Sequence, residues 1–562
     1  MVFTDDQLKK LLLQSRLINE QGIKNVDELA KNSDVPFTEA LVEKNIITDE
    51  NLGLLIADSL KIPFIVLSKI NIPQDVFQII PEKIARKHKV IAFSRDKDGV
   101  KVALVDPQNT QLLTLLAKKT GEKIYPYLAT LHDISNTFQI YRKDLQKTFQ
   151  ELFDRESLGK TTNVALEEAP VMKILDLLIN YAYQDKASDI HIEPQEKDSL
   201  IRFRIDGILH DVLNLPKTLH DRIITRIKVL SRLRTDEHLS AQDGKMRIRL
   251  EEEFLDIRVS IIPIADGEKS VLRLLSSRSR HFSLTDLGMN DQDLKKVTNA
   301  FIRSFGMILS TGPTGSGKST SIYAILKIIN TRDKNITTIE DPIEYRLKGV
   351  NQIQVNAKTN LTFANGLRSI LRQDPNVIFV GEIRDIETAG IAVNASLTGH
   401  LVLSTLHTND AATALPRLTD MKVEPFLVAS TVNIIIAQRL VRKICDMCKV
   451  SLTIVRDDLA KHIPLEIIKR HFEQQQTLQA YKGNGCKICH FTGYLGRIGI
   501  FEVLEVSKGI RKLITEKADS DIINKKAIEE GMTTMLDDGL EKVTKGVTTI
   551  EEVLRVTKVE SV

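Results

Sequence analysis

The densest concentration of chemically capable residues is Gly312-Pro313-Thr314-Gly315-Ser316-Gly317-Lys318-Ser319, followed by Thr320. It fits the G-x-x-x-x-G-K-S pattern of a phosphate-cradling loop. Glycines let backbone N–H groups turn inward toward an anion. Lys318 places an ammonium where β- and γ-phosphates would lie, and the Ser319 hydroxyl suits Mg²⁺. The flanks agree: Met307–Ser310 reads as a strand and Thr320–Ile329 as a helix. A helix start adds positive dipole potential at that point. These residues predict a nucleoside triphosphate site.

Hydrolysis needs acids on neighbouring strand ends. Asn376–Glu382 is an apolar run closed by a carboxylate, which makes Glu382 the metal-side acid. Gly381 stands where an aspartate is more usual. Glu340, Asp341 and Glu344 put three carboxylates into five residues at the end of another strand. One of them can orient or deprotonate the attacking water. Asp341, before Pro342, also reads as a helix cap. His400 and His407 bracket the strand Leu401–Thr405, and their spacing leaves γ-phosphate sensing and a structural role equally open.

Cys445-Asp-Met-Cys448 and Cys486-Lys-Ile-Cys489 use every cysteine in the chain, with 37 residues between the pairs. Each pair has the gap of a zinc knuckle. Four thiolates fill a tetrahedron and leave no open position, so the zinc would be structural. His490 adjoins the set but is not needed by it.

These groups must be positioned by a large chain. At 562 residues, three or four domains are expected. Apolar residues are 42% and charged residues 27%, which excludes a disordered or fibrous chain. A net charge of +4, no Trp and 5% aromatics argue against a nucleic-acid partner. The charged N-terminus has no leader-like apolar core, and Pro425–Gln438 is too short and polar to span a bilayer. A cytoplasmic protein is expected.

Residues 1–145 read as a mixed α+β region, with helical periodicity at Leu8, Leu11 and Leu12 and again from Leu41 to Ile56. A strand pair follows at Val90–Phe93 and Val100–Val105. A linker is expected over 146–169: the charged, polar and weakly periodic stretch Arg142–Glu168 reads as a helical linker that frays into a flexible one. Residues 170–285 read as a helix, five strands and the amphipathic helix Leu219–Leu233, whose basic residues are the solvated side of an ordinary buried face. Residues 286–562 show the βα alternation of a parallel sheet covered on both faces. A cysteine-bearing insertion interrupts it at about 440–500, and a helical tail closes the chain.

Leu371–Thr388 resembles the signature of the type II/type IV secretion ATPase superfamily. Thr398–Thr408 is similar to its histidine box and Glu340–Tyr345 to its aspartate box. The resemblance spans about 170–560 and points to the assembly branch, that of type IV pilus and type II secretion ATPases. It implies a RecA-like P-loop ATPase domain, a smaller mixed α/β (PAS-like) second domain and an N-terminal α+β domain. It implies Glu344 as catalytic base, Glu382 as the strand-end acid, and His400 and His407 at the site.

Ala187–Pro194, Arg202–Gly207 and Ser240–Ser260 resemble the family's arginine-bearing second domain, with Arg247, Arg258 and Arg273 as candidates for the γ-phosphate. The cysteine insertion also resembles the assembly branch. The implied cofactors are ATP, Mg²⁺ and structural Zn²⁺. The implied partners are other copies of the chain in a hexamer and an inner-membrane platform protein, with peripheral placement at that membrane. The region 1–145 resembles the family's docking domain more loosely. Pro36–Asn45 lacks the Arg-Leu-Gly start of the cyclic di-GMP binders, so that ligand is not expected. The alternative is a RecA-like ATPase moving nucleic acid or serving DNA uptake.

Overall fold

The computed structural model describes residues 5–15, 18–33, 36–43, 47, 49–70, 72–138, 164–250, 254–275, 283–455, 463, 467–468, 477–486 and 488–557. Near the N-terminus, helices Asp5–Gln14, Glu20–Ser33, Phe37–Glu43 and Asp49–Leu60 gather around Leu8, Leu12, Val26, Phe37 and Leu41. A small sheet follows: β1 (Val90–Asp96), β2 (Gly99–Leu104) and β3 (Ile124–Leu128). β1 and β2 form the expected antiparallel hairpin, with a tighter turn than the Ser94–Gly99 polarity suggests, and β3 joins β2 in parallel. Ile46 lies outside the described residues.

The next helix runs Val164–Gln184 and takes in the last residues of the expected linker. The rest of the expected linker falls mostly outside the described residues. A six-stranded sheet follows: β4 (Asp189–Pro194), β5 (Asp198–Ile205), β6 (Ile208–Pro216), β7 (Gln242–Arg249), β8 (Phe254–Ile264) and β9 (Gly267–Leu275). Its order is β6-β5-β4-β9-β8-β7 and every pairing is antiparallel. Sequence periodicity misses β6, whose Asp211 and Asn214 break the apolar alternation. One face buries Ile190, Ile201, Phe203, Ile257 and Leu272 against the helices Val164–Gln184 and Lys217–Leu230. Period-two alternation turns the intervening polar residues to the other face. There Arg204, Asp189, Arg273, Arg258 and Lys245 lie level across five strands.

The third region is built on a seven-stranded sheet. Its strands are β10 (Gly306–Thr311), β11 (Ile336–Glu340), β12 (Asn351–Gln354), β13 (Val377–Val380), β14 (Leu401–Leu406), β15 (Val432–Ile444) and β18 (Tyr494–Glu505). Between β15 and β18 lies a hairpin of β16 (Lys449–Val455) and β17 (Thr477–Gly483). The order is β12-β11-β13-β14-β10-β15-β18, parallel except for β18 on β15. Apolar cores cover both faces, as a parallel sheet requires. Four helices between Lys508 and Thr557 form the tail. Parallel strands put Thr311, Glu340, Val380 and Leu406 on one edge. Loops at the carboxyl edge of such a sheet are where ligands bind.

Candidate active site

The phosphate loop leaves β10 at Thr311 and enters the helix Lys318–Ile329. Gly312, Gly315 and Gly317 have φ of 143°, 79° and 92°, a region that favours glycine. At Gly312 a Cβ would also stand 2.5 Å from the Gln438 carbonyl, so side-chain space and backbone angle both demand glycine. Gln438 on β15 closes the loop from below, its Nε2 donating to the Ser316 carbonyl at 2.7 Å. Lys318 is buried, and its Nζ donates to the carbonyls of Gly312 at 2.7 Å and Pro313 at 3.0 Å. Burial pushes its ammonium below the ordinary lysine range, against the pull of the nearby Glu382 carboxylate. An anion in the cradle would restore that charge's compensation. Pro313, Thr314 and Gly315 stay exposed, while Ser319 and Thr320 are half-buried at the helix start.

Glu382 follows β13 and is mostly covered. Its Oε1 lies 2.7 Å from Arg384 Nη2 and its Oε2 lies 3.3 Å from His407 Nε2. His407 sits just beyond β14, on the same edge as the loop. His400 does not. It precedes β14, whose six residues span about 20 Å, and its Nδ1 meets the Ala395 carbonyl at 2.9 Å. The register Gly306↔Leu401 puts it at the start of β10, the edge opposite Gly312. The expected pair is therefore corrected to one histidine at this edge, because a strand separates its members by its own length.

The three acids after β11 also part company. Glu340 is buried: Oε1 accepts from Thr338 at 2.6 Å and Gln352 at 3.1 Å, and Oε2 accepts from the Tyr323 hydroxyl. Burial raises its carboxyl above the usual range despite these donors. Asp341 is exposed and caps no helix, since β11 gives way to a loop. Glu344 projects from that loop, half-exposed, with Oε2 3.4 Å from Arg258 Nη1. Arg258 Nη2 donates to the Ile343 carbonyl at 2.7 Å. The second region's β8 thus touches the loop that carries Glu344.

The three candidate arginines have different surroundings. Arg247 is exposed and paired across the strands with Asp256 at 2.5 Å. Arg273 Nε donates to buried Asp189 at 2.8 Å, and that bond raises its already high pKa, with a smaller contribution from Glu344. Arg204 flanks the same Asp189 at 3.5 Å. Only Arg258 reaches the Glu344 loop directly. Gln438, Arg384 and Tyr323 escaped sequence reading. A polar Gln in an uncharged run was the one available signal for Gln438.

At the far end of β15, the four cysteine sulfurs lie within 4.8 Å of one another. Cys445 and Cys486 are 3.8 Å apart, Cys448 and Cys489 3.8 Å, and Cys486 and Cys489 3.7 Å. A tetrahedron of Zn–S bonds near 2.3 Å has edges of about 3.8 Å, so the spacing fits zinc. Cys489 Sγ also accepts the N–H groups of Cys486 at 3.1 Å and Gly493 at 3.3 Å. The 37-residue gap is the β16–β17 hairpin together with residues outside the described set. His490 turns away, 3.8 Å from Asp185.

The profile of the type II/IV secretion system protein family matches residues 164–555, and that of the MshEN domain matches 60–148, beyond the Pro36–Asn45 stretch. The type IV pilus assembly ATPase PilB of Myxococcus xanthus is 36% identical over 566 residues, covering 98% of both chains. Type II secretion system protein E of Pseudomonas aeruginosa is 46% identical over 431 residues, covering 76% of this chain and 84% of that one. The ATPase DotB of Legionella pneumophila superposes with a TM-score of 0.50 at 22% identity, covering 68% of this chain and 95% of that chain, which supports the RecA-like fold. With the phosphate loop, strand-end acids and cysteine set in place, the chain is an ATPase and belongs to the type II/IV secretion system protein family, in its pilus- and secretion-assembly branch.

Proposed function

We propose that the chain is the ring-forming motor, a homohexamer, that assembles a type IV pilus or a type II secretion pseudopilus at the inner membrane. Residues 1–145 dock on the cytoplasmic side of an inner-membrane platform protein. Residues 170–285 and 286–562 open and close on ATP. Among the described residues no helix is long and apolar enough to cross a membrane, which suits peripheral attachment through that partner.

In this reading Gly312–Thr320 bind the phosphates, Lys318 answers their charge, and Glu344 takes the proton of the attacking water. Ser319 and Glu382 would hold Mg²⁺, whose oxygen preference their side chains meet, and which would neutralise charge on the phosphoryl group. His407 holds Glu382 and senses its state. Cys445, Cys448, Cys486 and Cys489 would hold a structural zinc.

The observation that carries the proposal is the bond from Arg258 to the Ile343 carbonyl. Through it, closure of the arginine face and placement of Glu344 become one event, which is how phosphate chemistry becomes a rigid-body stroke. The test is ATPase activity against protein concentration, beside native mass measurement with a non-hydrolysable ATP analogue. Activity should rise with concentration as hexamers form, and Arg258→Ala should cut it in folded protein. A monomer with full activity overturns the ring, and full activity in Arg258→Ala overturns the coupling.

A further inference from the structure

Beneath the Glu344 loop lies a buried polar cluster that phosphate binding does not use. Tyr323 sits on the helix that the phosphate loop opens, five residues beyond Lys318, and is completely buried. Its hydroxyl donates to Glu340 Oε2. Gln352 Nε2 reaches the same hydroxyl at 3.4 Å. Gln352 Nε2 donates to Glu340 at 3.1 Å and to the Tyr345 carbonyl at 3.1 Å, and Gln352 Oε1 accepts from Leu347 N–H at 2.7 Å. The Tyr345 ring meets the Tyr323 ring edge-on, centroids 4.7 Å apart.

A Tyr on a helix usually serves packing, and a buried Glu is costly without partners. Here each polar atom of the cluster is spent on the backbone or carboxylate that frames Glu344. Arg258 holds the same short segment from above, at Ile343. The segment 343–345 is therefore fastened on one side by the second region and on the other by the phosphate-loop helix.

We infer that Tyr323, held by Glu340 and Gln352, is a positioning residue that aims Glu344 and ties its aim to the helix that binds the phosphates. The inference rests on Glu344 being the base. Tyr323 touches no reacting atom. Its ring packs on Tyr345 and its hydroxyl holds Glu340 and Gln352, which in turn holds the Tyr345 carbonyl, so a shift of the helix on nucleotide binding moves the segment that carries Glu344.

The test uses the full-length protein and steady-state hydrolysis of Mg-ATP. Tyr323→Phe keeps the ring and removes the hydroxyl. Its kcat should fall about ten-fold, the scale of one lost hydrogen bond to a charged network. KM and the Kd of a fluorescent ATP analogue should stay within about two-fold of the parent, since no phosphate contact changes. Glu340→Gln keeps an acceptor for the hydroxyl and should lose less kcat than Glu340→Ala. Added to Glu344→Gln, Tyr323→Phe should cost nothing further, because it acts through the absent base. Undiminished kcat in Tyr323→Phe, or a loss that multiplies with that of Glu344→Gln, overturns the inference. So does an equal loss in Kd and kcat with a lowered Tm, which marks a packing role. Glu344→Gln with full turnover would instead remove the base reading itself, so the two failures are distinguishable.

Discussion

The phosphate loop meets β15 at its middle, at Gln438, and the cysteine knuckle follows its end, and the two are built on opposite plans. The loop is backbone: three glycines at positive φ aim N–H groups, and Gln438 closes the turn whatever the cradle holds. The knuckle is side chain: four sulfurs from two segments converge to 3.7–3.8 Å. Burial pushes the Cys448 thiol up to about 11, and the neighbouring sulfurs add to it. Hydrogen bonds from Cys445 and from backbone N–H groups, acting against burial, hold Cys489 down at about 4. The first site is a shape that waits for its ligand. The second is a set of side chains that a zinc ion would complete.

The largest effect expected from that contrast is at the knuckle. Chelation, or Cys445→Ser, should abolish the cooperative unfolding of the β16–β18 end and lower Tm by more than any loop substitution. Structural zinc is worth on the order of 10 kcal/mol in small metal domains. Zinc analysis should return about one ion per chain, and an unchanged Tm after chelation breaks the comparison.

At the loop end, Glu344→Gln should cut kcat by at least about ten-fold and keep nucleotide binding, a positioned base being worth 10²–10⁴. Lys318→Ala should weaken nucleotide affinity by about ten-fold or more, since one charge-assisted phosphate contact goes. The Tm of its nucleotide-free form should hold or rise, because a buried ammonium is removed. Calorimetric titration with and without ATP reads both.

Glu502 on β18 stands opposite Ala437 of β15 and accepts the Ala411 N–H, beyond the His407 loop, at 2.9 Å. Burial pushes its carboxyl up to about 7. The folded state then keeps a proton that the unfolded chain releases near pH 4.3. Stability should fall as pH rises from about 4.3 to 7 and level off above, by roughly 4 kcal/mol in all. Glu502→Gln should flatten that slope in denaturant titrations, and an unaltered slope refutes the assignment.

The smallest effect is expected at Arg247. It shares the sheet face of Arg258 but is spent on its exposed partner Asp256 and not on Glu344's loop, so Arg247→Ala should leave kcat within about two-fold while Arg258→Ala does not.

What was legible follows from the same contrast. A loop whose backbone angles demand glycine writes that demand into contiguous residues, so Gly312–Ser319 and its flanking strand and helix could be read directly. The cysteines could be read because few other residues supply thiolates. The choice among Arg247, Arg258 and Arg273 could not, since it depends on which rung of a six-stranded sheet faces a loop 85 residues further on. Tyr323 was invisible because a helical Tyr among Ile322, Ala324 and Ile325 looks like core. β15 was obscured because its apolar start reads as a membrane question before it reads as a strand. The histidines were paired by sequence distance, and only the strand's length separates them.

β15 has a consequence of a different kind. From Gln438, which grips the phosphate loop, seven residues lead to Cys445 in the knuckle, a reach of about 23 Å in extended chain. Over most of that length it is bonded to β18, while its pairing with β10 ends just before it, at Ala437. Paired chain of this sort transmits compression and resists buckling, whereas a loop would absorb it. Such a strand would serve as a pushrod: one end is seated under the phosphate loop and the other ends among the four cysteines.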